Sequence, residues 1–153
     1  MSDAGHDHLV EHLPHQPPMR LVERVIEIVP GRRACTTRVA HPDDWYFDGH
    51  FPTEPVIPAI ALVELLAQTG GLAVTSTPET GLRALRLAAL TDFKFPAAAG
   101  PGALLQATAD VIGRVGRLIK ISGTVTADGR IVATGSLTLA DVPMPDTARS
   151  ESP

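Results

Sequence analysis

The 153-residue chain has a formal charge of -4, with acids and bases interspersed and only 4% aromatic residues. It therefore lacks the basic stripe and stacking platform that nucleic-acid binding requires. Its length suits one domain, which at this size buries about 70% of the surface its unfolded form exposes. Cys35 is the single cysteine, so no intrachain disulfide forms and the sequence suits a reducing cytoplasm. The His- and Asp-rich N-terminus is unlike a secretory signal, and no uncharged apolar run approaches the ~18 residues of a membrane span. A cytoplasmic protein without a membrane or nucleic-acid partner is expected.

Residues 1–18 mix polar residues with prolines, and a loose segment is expected over 1–12. Residues 20–29 (RLVERVIEIV) and 32–40 (RRACTTRVA) are rich in branched side chains and flank Pro30-Gly31, which predicts a pair of strands joined by a turn. From Pro58 to about Val74 good helix formers take over, and Pro58 suits a first helical turn, where no N–H partner is lost. Past the polar break at 75–81, four turn-bounded runs at 84–95, 103–115, 117–127 and 130–140 predict further strands. In the third of these, Ile119, Ile121, Gly123 and Val125 alternate with Lys120, Ser122, Thr124 and Thr126, the period of a strand with one buried face. Asp128-Gly129 supplies a hairpin turn. A disordered tail is expected over 142–153, leaving one domain over 1–141. A single apolar helix followed by long antiparallel strands requires a sheet that wraps the helix, an α+β hotdog arrangement.

Within that helix Glu64 and Gln68 are four positions apart, so they share a face, where the amide can donate to the carboxylate and hold its rotamer. Desolvation disfavours a charged carboxylate, which puts general acid catalysis within reach of a buried Glu64. An exposed helix edge, or an ion pair with a strand arginine, would equally account for the acid. His50 follows Gly49 and precedes Phe51-Pro52, a flexible residue and a rigid anchor that can fix a titratable imidazole. A solvated loop histidine or a helix-cap partner is the competing reading. His6, His8, His12 and His15 cluster near the N-terminus, but no cysteine accompanies them in a stretch expected to be loose, and no metal site is expected.

Two stretches resemble a known family. LPHQPPMRLVERV (13–25) is similar to the first-strand lead-in of the FabZ-type 3-hydroxyacyl-[acyl-carrier-protein] dehydratases, and GHFPTEPVIPAIALVELLAQ (49–68) to their active-site turn and central helix. FKFP (93–96) with the following Gly-Pro-Gly resembles a third landmark, so the likeness spans roughly 9–141. The resemblance implies a hotdog fold and a hydro-lyase in which His50 and Glu64 are the catalytic pair. It also implies dimers in which the histidine of one protomer faces the glutamate of the other. On this basis Ala59, at the helix N-terminus, would offer its backbone N–H to the thioester carbonyl, while Gly49, Phe51, Pro52 and Gln68 support the pair. No cofactor is implied beyond the phosphopantetheine arm of acyl carrier protein that brings the substrate. A homodimer or larger assembly is expected, with a heterodimer of homologous chains as the alternative.

The chain departs from the family where glycine is usual and Thr53 and Ala59 stand, and where arginine is usual and Gln16 stands. A methyl at Ala59 keeps the N–H but can narrow the substrate path, which leaves fatty-acid and polyketide-type substrates both open. Because carrier proteins are acidic, Arg20, Arg24, Arg83, Arg86 and Lys94 are candidates for a docking patch, against the plainer reading of solvated strand edges. A hotdog thioesterase and a noncatalytic partner subunit remain the alternative functions.

Overall fold

The computed structural model describes residues 5–50, 53–75 and 84–142. Among these residues six strands, β1 (Arg24–Val29), β2 (Arg33–Val39), β3 (Ala84–Lys94), β4 (Leu104–Val115), β5 (Leu118–Ala127) and β6 (Arg130–Val142), form one sheet, with one α-helix, α1 (Ala59–Thr75), between β2 and β3. The order is β1-β2-β4-β5-β6-β3, antiparallel throughout, so β1 and β3 are the edges. The sheet curls around α1 in the expected hotdog architecture.

The helix is buried because nearly every side chain in it is apolar. Leu65, Leu66 and Leu72 are at most 1% exposed and pack on Ile119, Ile121, Val125 and Leu137 from the sheet. Each such leucine contributes about 1.5–3 kcal/mol through burial. Two threonines in this core satisfy each other. Thr69 Oγ1 donates to the Leu65 carbonyl at 2.8 Å, so Thr36 Oγ1, 2.7 Å away, must donate to Thr69.

Gly123 allows α1 to lie so close. A Cβ there would stand 2.5 Å from Leu66 Cδ1 and 2.7 Å from the Thr108 carbonyl oxygen. The alternation expected in β5 is present, with Ile119, Ile121, Gly123 and Val125 buried. Asp128 (φ 48°) and Gly129 (φ 85°) make the predicted β5–β6 turn, and Gly31 (φ 74°) the β1–β2 turn.

Three boundaries differ from the sequence reading. Residues 5–12 are not loose: Asp7–His12 form a 3-10 helix whose Val10 is 8% exposed, and Asp7 Oδ1 accepts the Val25 N–H at 3.1 Å. Val10 and the partly buried Leu9 pack on the core, and Asp7 also pairs with Arg24 at 3.5 Å, so this polar segment is docked. Strand β1 begins at Arg24 rather than residue 20, because the Leu21 and Val22 N–H groups bond the Gln68 side chain instead of β2. Strand β6 runs on through Val142. The tail expected beyond it, and most of the polar break at 75–81, lie outside the described residues.

Replacing Gly123 by alanine is expected to destabilise the fold by about 1–3 kcal/mol through overpacking. Gly113→Ala, at a site with open space around the new methyl, should leave stability within about 0.5 kcal/mol. Urea denaturation of both variants checks this.

Candidate active site

The carboxylate of Glu64 is held as its spacing predicts. Gln68 Nε2 donates to Glu64 Oε1 at 2.9 Å and to the Met19 carbonyl at 2.8 Å. Gln68 Oε1 accepts the Leu21 N–H at 2.8 Å and the Val22 N–H at 3.4 Å. Two backbone donors on the oxygen fix which end of the amide is which. Gln68 is 1% exposed, so its geometry is locked by packing as well as by bonds. Glu64 itself is less buried than a lone acid in a greasy helix suggests: its side chain is 23% exposed. It sits at the mouth of a narrow pocket of about 50 Å³ between α1, the 13–15 segment, β3 and β6, walled mainly by leucines 13, 85, 87 and 139 with Ala67 and Gly71. Sequence patterning shows that the helix is buried all round, but not that one turn faces a pocket.

His50 lies on a segment pinned at both ends by 99–103. The Ala40 N–H bonds the Ala103 carbonyl at 2.9 Å, the Gly102 N–H returns to the Ala40 carbonyl at 2.7 Å, and the Ile57 N–H reaches the Ala99 carbonyl at 2.8 Å. This is the structural use of the Gly-Pro-Gly landmark, whose Gly102 has φ 91°. Inside the segment, Asp44 pairs with Arg38, accepts the Tyr46 hydroxyl at 2.6 Å and accepts the His41 N–H at 3.0 Å. Arg38 also donates to the Leu21 carbonyl at 2.9 Å. Gly49, with φ 73°, turns the chain, the His50 N–H bonds the Phe47 carbonyl at 3.1 Å, and His50 Nδ1 lies 3.0 Å from the Val56 carbonyl. A carbonyl only accepts, so Nδ1 carries the proton and Nε2 the lone pair of the neutral ring.

Ala59 begins α1 and is exposed, with Pro58 before it. The Pro58 carbonyl takes the Ala61 N–H at 3.0 Å. First-turn N–H groups have no carbonyl one turn back and stand at the positive end of the helix dipole. Thr53, where glycine was expected, is exposed, and Phe51 and Pro52 lie outside the described residues.

The two hollows that Glu64 lines are formed by elements other than the Gly49-His50 turn. Glu64 lines both the leucine-walled pocket and an apolar hollow formed with Met19, Trp45, Ile60, Leu87 and Phe93, and His50 lines neither. Of the basic residues, Arg24 pairs with Asp7 at 3.5 Å and Arg20 Nε bonds the His15 carbonyl at 3.1 Å. Arg86 and Lys94 are exposed on β3, and Arg83 lies outside the described residues. The residue that sequence reasoning missed is His15, whose Nε2 lies 3.4 Å from Glu64 Oε1. Among the described residues no three His, Cys, Asp or Glu side chains could hold a metal, and no helix is long and apolar enough to cross a membrane.

A sheet wrapped on one helix, with an amide-held acid on that helix and a pinned histidine on the turn before it, is the pattern of a FabA-like domain, and residues 13–136 match that family. Relatives narrow the match. The 3-hydroxyacyl-[acyl-carrier-protein] dehydratase FabZ of Moorella thermoacetica is 36% identical over 128 residues, 84% of this chain and 90% of that one. Its Streptococcus pneumoniae counterpart is 35% identical over 130 residues, 85% and 92% of the two chains. The chain belongs to the FabZ branch of the FabA-like family. Among solved structures, the dehydratase heterocomplex ApeI:P from Xenorhabdus doucetiae superposes with a TM-score of 0.72 at 16% identity, covering 92% of this chain and 95% of that one. A hypothetical thioesterase with coenzyme A from Streptococcus pneumoniae does so at 0.61 and 14%, covering 79% and 86%. At such identities these two show the fold alone.

Burial and the Asp44 carboxylate raise the Tyr46 hydroxyl from 10.0 to about 12. The protonated form is thus favoured by folding, so this contribution to stability is complete below about pH 10 and is lost as pH rises through about 12. Tyr46 is the only tyrosine, so tyrosinate absorbance should stay near zero at pH 10 in the folded protein and appear early in Asp44→Asn if the anchor is lost.

Proposed function

We propose that the protein is a dehydratase that converts a 3-hydroxyacyl thioester on acyl carrier protein to the trans-2-enoyl thioester, in fatty-acid biosynthesis. The observation that carries this reading is the amide-held Glu64 at the mouth of a leucine-walled pocket, in a chain whose relatives bear that activity in their names. The pocket is narrow, about 50 Å³, and its leucine walls suit the apolar stem of an acyl chain.

The chemistry follows from elimination of water. His50 Nε2 takes the proton from the α-carbon, and charge develops on the thioester oxygen. The N–H of Ala59 and the helix dipole stabilise that charge. The α-carbon electron pair becomes the double bond as the 3-hydroxyl leaves, and Glu64 gives its proton so that water departs. Proton return from His50 to Glu64 through solvent restores the resting state. No electron is gained or lost, so no redox cofactor is needed, and Glu64 supplies the proton with which the hydroxyl leaves.

The pair is completed in a dimer, His50 of one protomer meeting Glu64 of the other. Support comes from β3, which has no second strand partner among the described residues. Leu87 and Leu90 on β3 are 43% and 51% exposed and Ile60 is 70% exposed, an apolar surface suited to a second copy. Arg20, Arg24, Arg86 and Lys94 are the described cations that an acidic carrier protein would meet. The protein works in the cytoplasm, where buried Cys35 stays reduced.

Mass spectrometry of 3-hydroxyacyl-carrier-protein substrates should register loss of one water with the wild type. His50→Ala and Glu64→Gln should each slow that loss by about 10²–10⁴-fold while remaining folded. Release of a free thiol would point to a thioesterase, and activity appearing only with a second homologous chain to a noncatalytic partner subunit. Substrate length gives a separate check. A Cβ at Gly71 meets only Leu85 Cδ1, at 3.9 Å, so Gly71→Leu can fill the pocket without breaking the helix. It should lower kcat/KM for long acyl chains by about tenfold or more and leave short ones unchanged.

A further inference from the structure

His15 reaches Glu64 on the same oxygen that Gln68 holds. Its Nε2 is 3.4 Å from Oε1, longer than the 2.7–3.2 Å of a formed N–H···O bond, so the contact is loose in the resting chain. The other ring nitrogen fixes its chemistry. Nδ1 is buried with no hydrogen-bond partner, and a proton there would leave an unpaired donor out of water, at the cost such groups carry. The proton of the His15 ring therefore belongs on Nε2, a donor aimed at Glu64. The ring is held by a short turn: Met19 and Arg20 N–H groups both bond the Gln16 carbonyl, at 2.9 and 3.0 Å, and Arg20 Nε bonds the carbonyl of His15 at 3.1 Å. His15 and Glu64 are the titratable side chains lining the pocket; the facing residues of β3 and β6, Leu85, Leu87 and Leu139, are apolar.

We propose that His15 is a positioning residue for Glu64: its Nε2–H and that of Gln68 together claim Oε1, which leaves the transferable proton on Oε2. This rests on the dehydratase reading above. When Glu64 gives up that proton, the carboxylate draws His15 from 3.4 Å into a full charge-assisted bond. An interaction that strengthens as charge develops acts on kcat rather than on substrate binding.

Two variants separate this role from that of a pocket wall. His15→Leu removes the donor and keeps the apolar contact, whereas His15→Gln keeps an N–H at similar reach. Loss of the donor should lower kcat by about tenfold or more, equally for short and long acyl chains, with KM little changed, and glutamine should restore most of it. A leucine variant with wild-type kcat, or one altered only in chain-length preference, overturns the inference. A wild type that dehydrates nothing instead overturns the functional reading. Nitrogen NMR of labelled histidine tests the contact without turnover. His15 should be the Nε2–H tautomer at neutral pH, with an Nε2 signal that moves in Glu64→Gln; an Nδ1–H tautomer or an unmoved signal contradicts the proposal.

Discussion

The side-chain amide of Gln68 is the interaction on which the site depends. It is buried against the sheet and makes bonds to Leu21, Val22, Met19 and Glu64, so its donors and its acceptor are all used. A buried amide left unpaired costs about 1–3 kcal/mol, and here the cost is avoided only if the chain before β1 lies against the middle of α1. That requirement places the 13–22 segment over the helix, delays the start of β1, and brings His15 to Glu64. The docking of this segment and the geometry around Glu64 thus meet at one side chain.

From the same segment a second set of bonds leads to His50. The Leu21 N–H serves Gln68 while its carbonyl accepts Arg38, which pairs with Asp44 at the start of the histidine turn. Asp44 in turn holds Tyr46, and the far end of the turn is tied to Ala99. The helix acid and the turn histidine are therefore anchored to common structure. Burial supports this geometry, since Arg38 and Asp44 side chains are only 11% and 10% exposed, and breaking a buried pair leaves an uncompensated charge.

Much of this was legible in the sequence because it follows from local rules. Period-two alternation located β5, Asp128-Gly129 its hairpin, and Pro58 the start of the helix. The Glu64–Gln68 bond followed from helical spacing alone. The remainder depended on contacts between segments distant in the chain, which periodicity does not carry. Nothing in LPHQPP indicates that His15 faces a helix residue far along the chain, and nothing in DHLVEH marks Val10 as a side chain that docks a polar stretch. The exposure of Glu64 stayed open between a buried acid and an exposed edge for the same reason: the helix is apolar on every side, so its sequence does not reveal which turn opens on a pocket.

The central claim is that His50 and Glu64 act as an acid–base pair contributed by two protomers. Mixing inactive His50→Ala and Glu64→Gln proteins, with subunit exchange, tests it most directly. In a mixed dimer one site carries both defects and the other is intact, so the account predicts that water loss from a 3-hydroxyacyl-carrier-protein substrate returns on mixing. If exchange is complete and the mixture stays as inactive as either variant, the two residues do not act across a dimer, and the account is wrong.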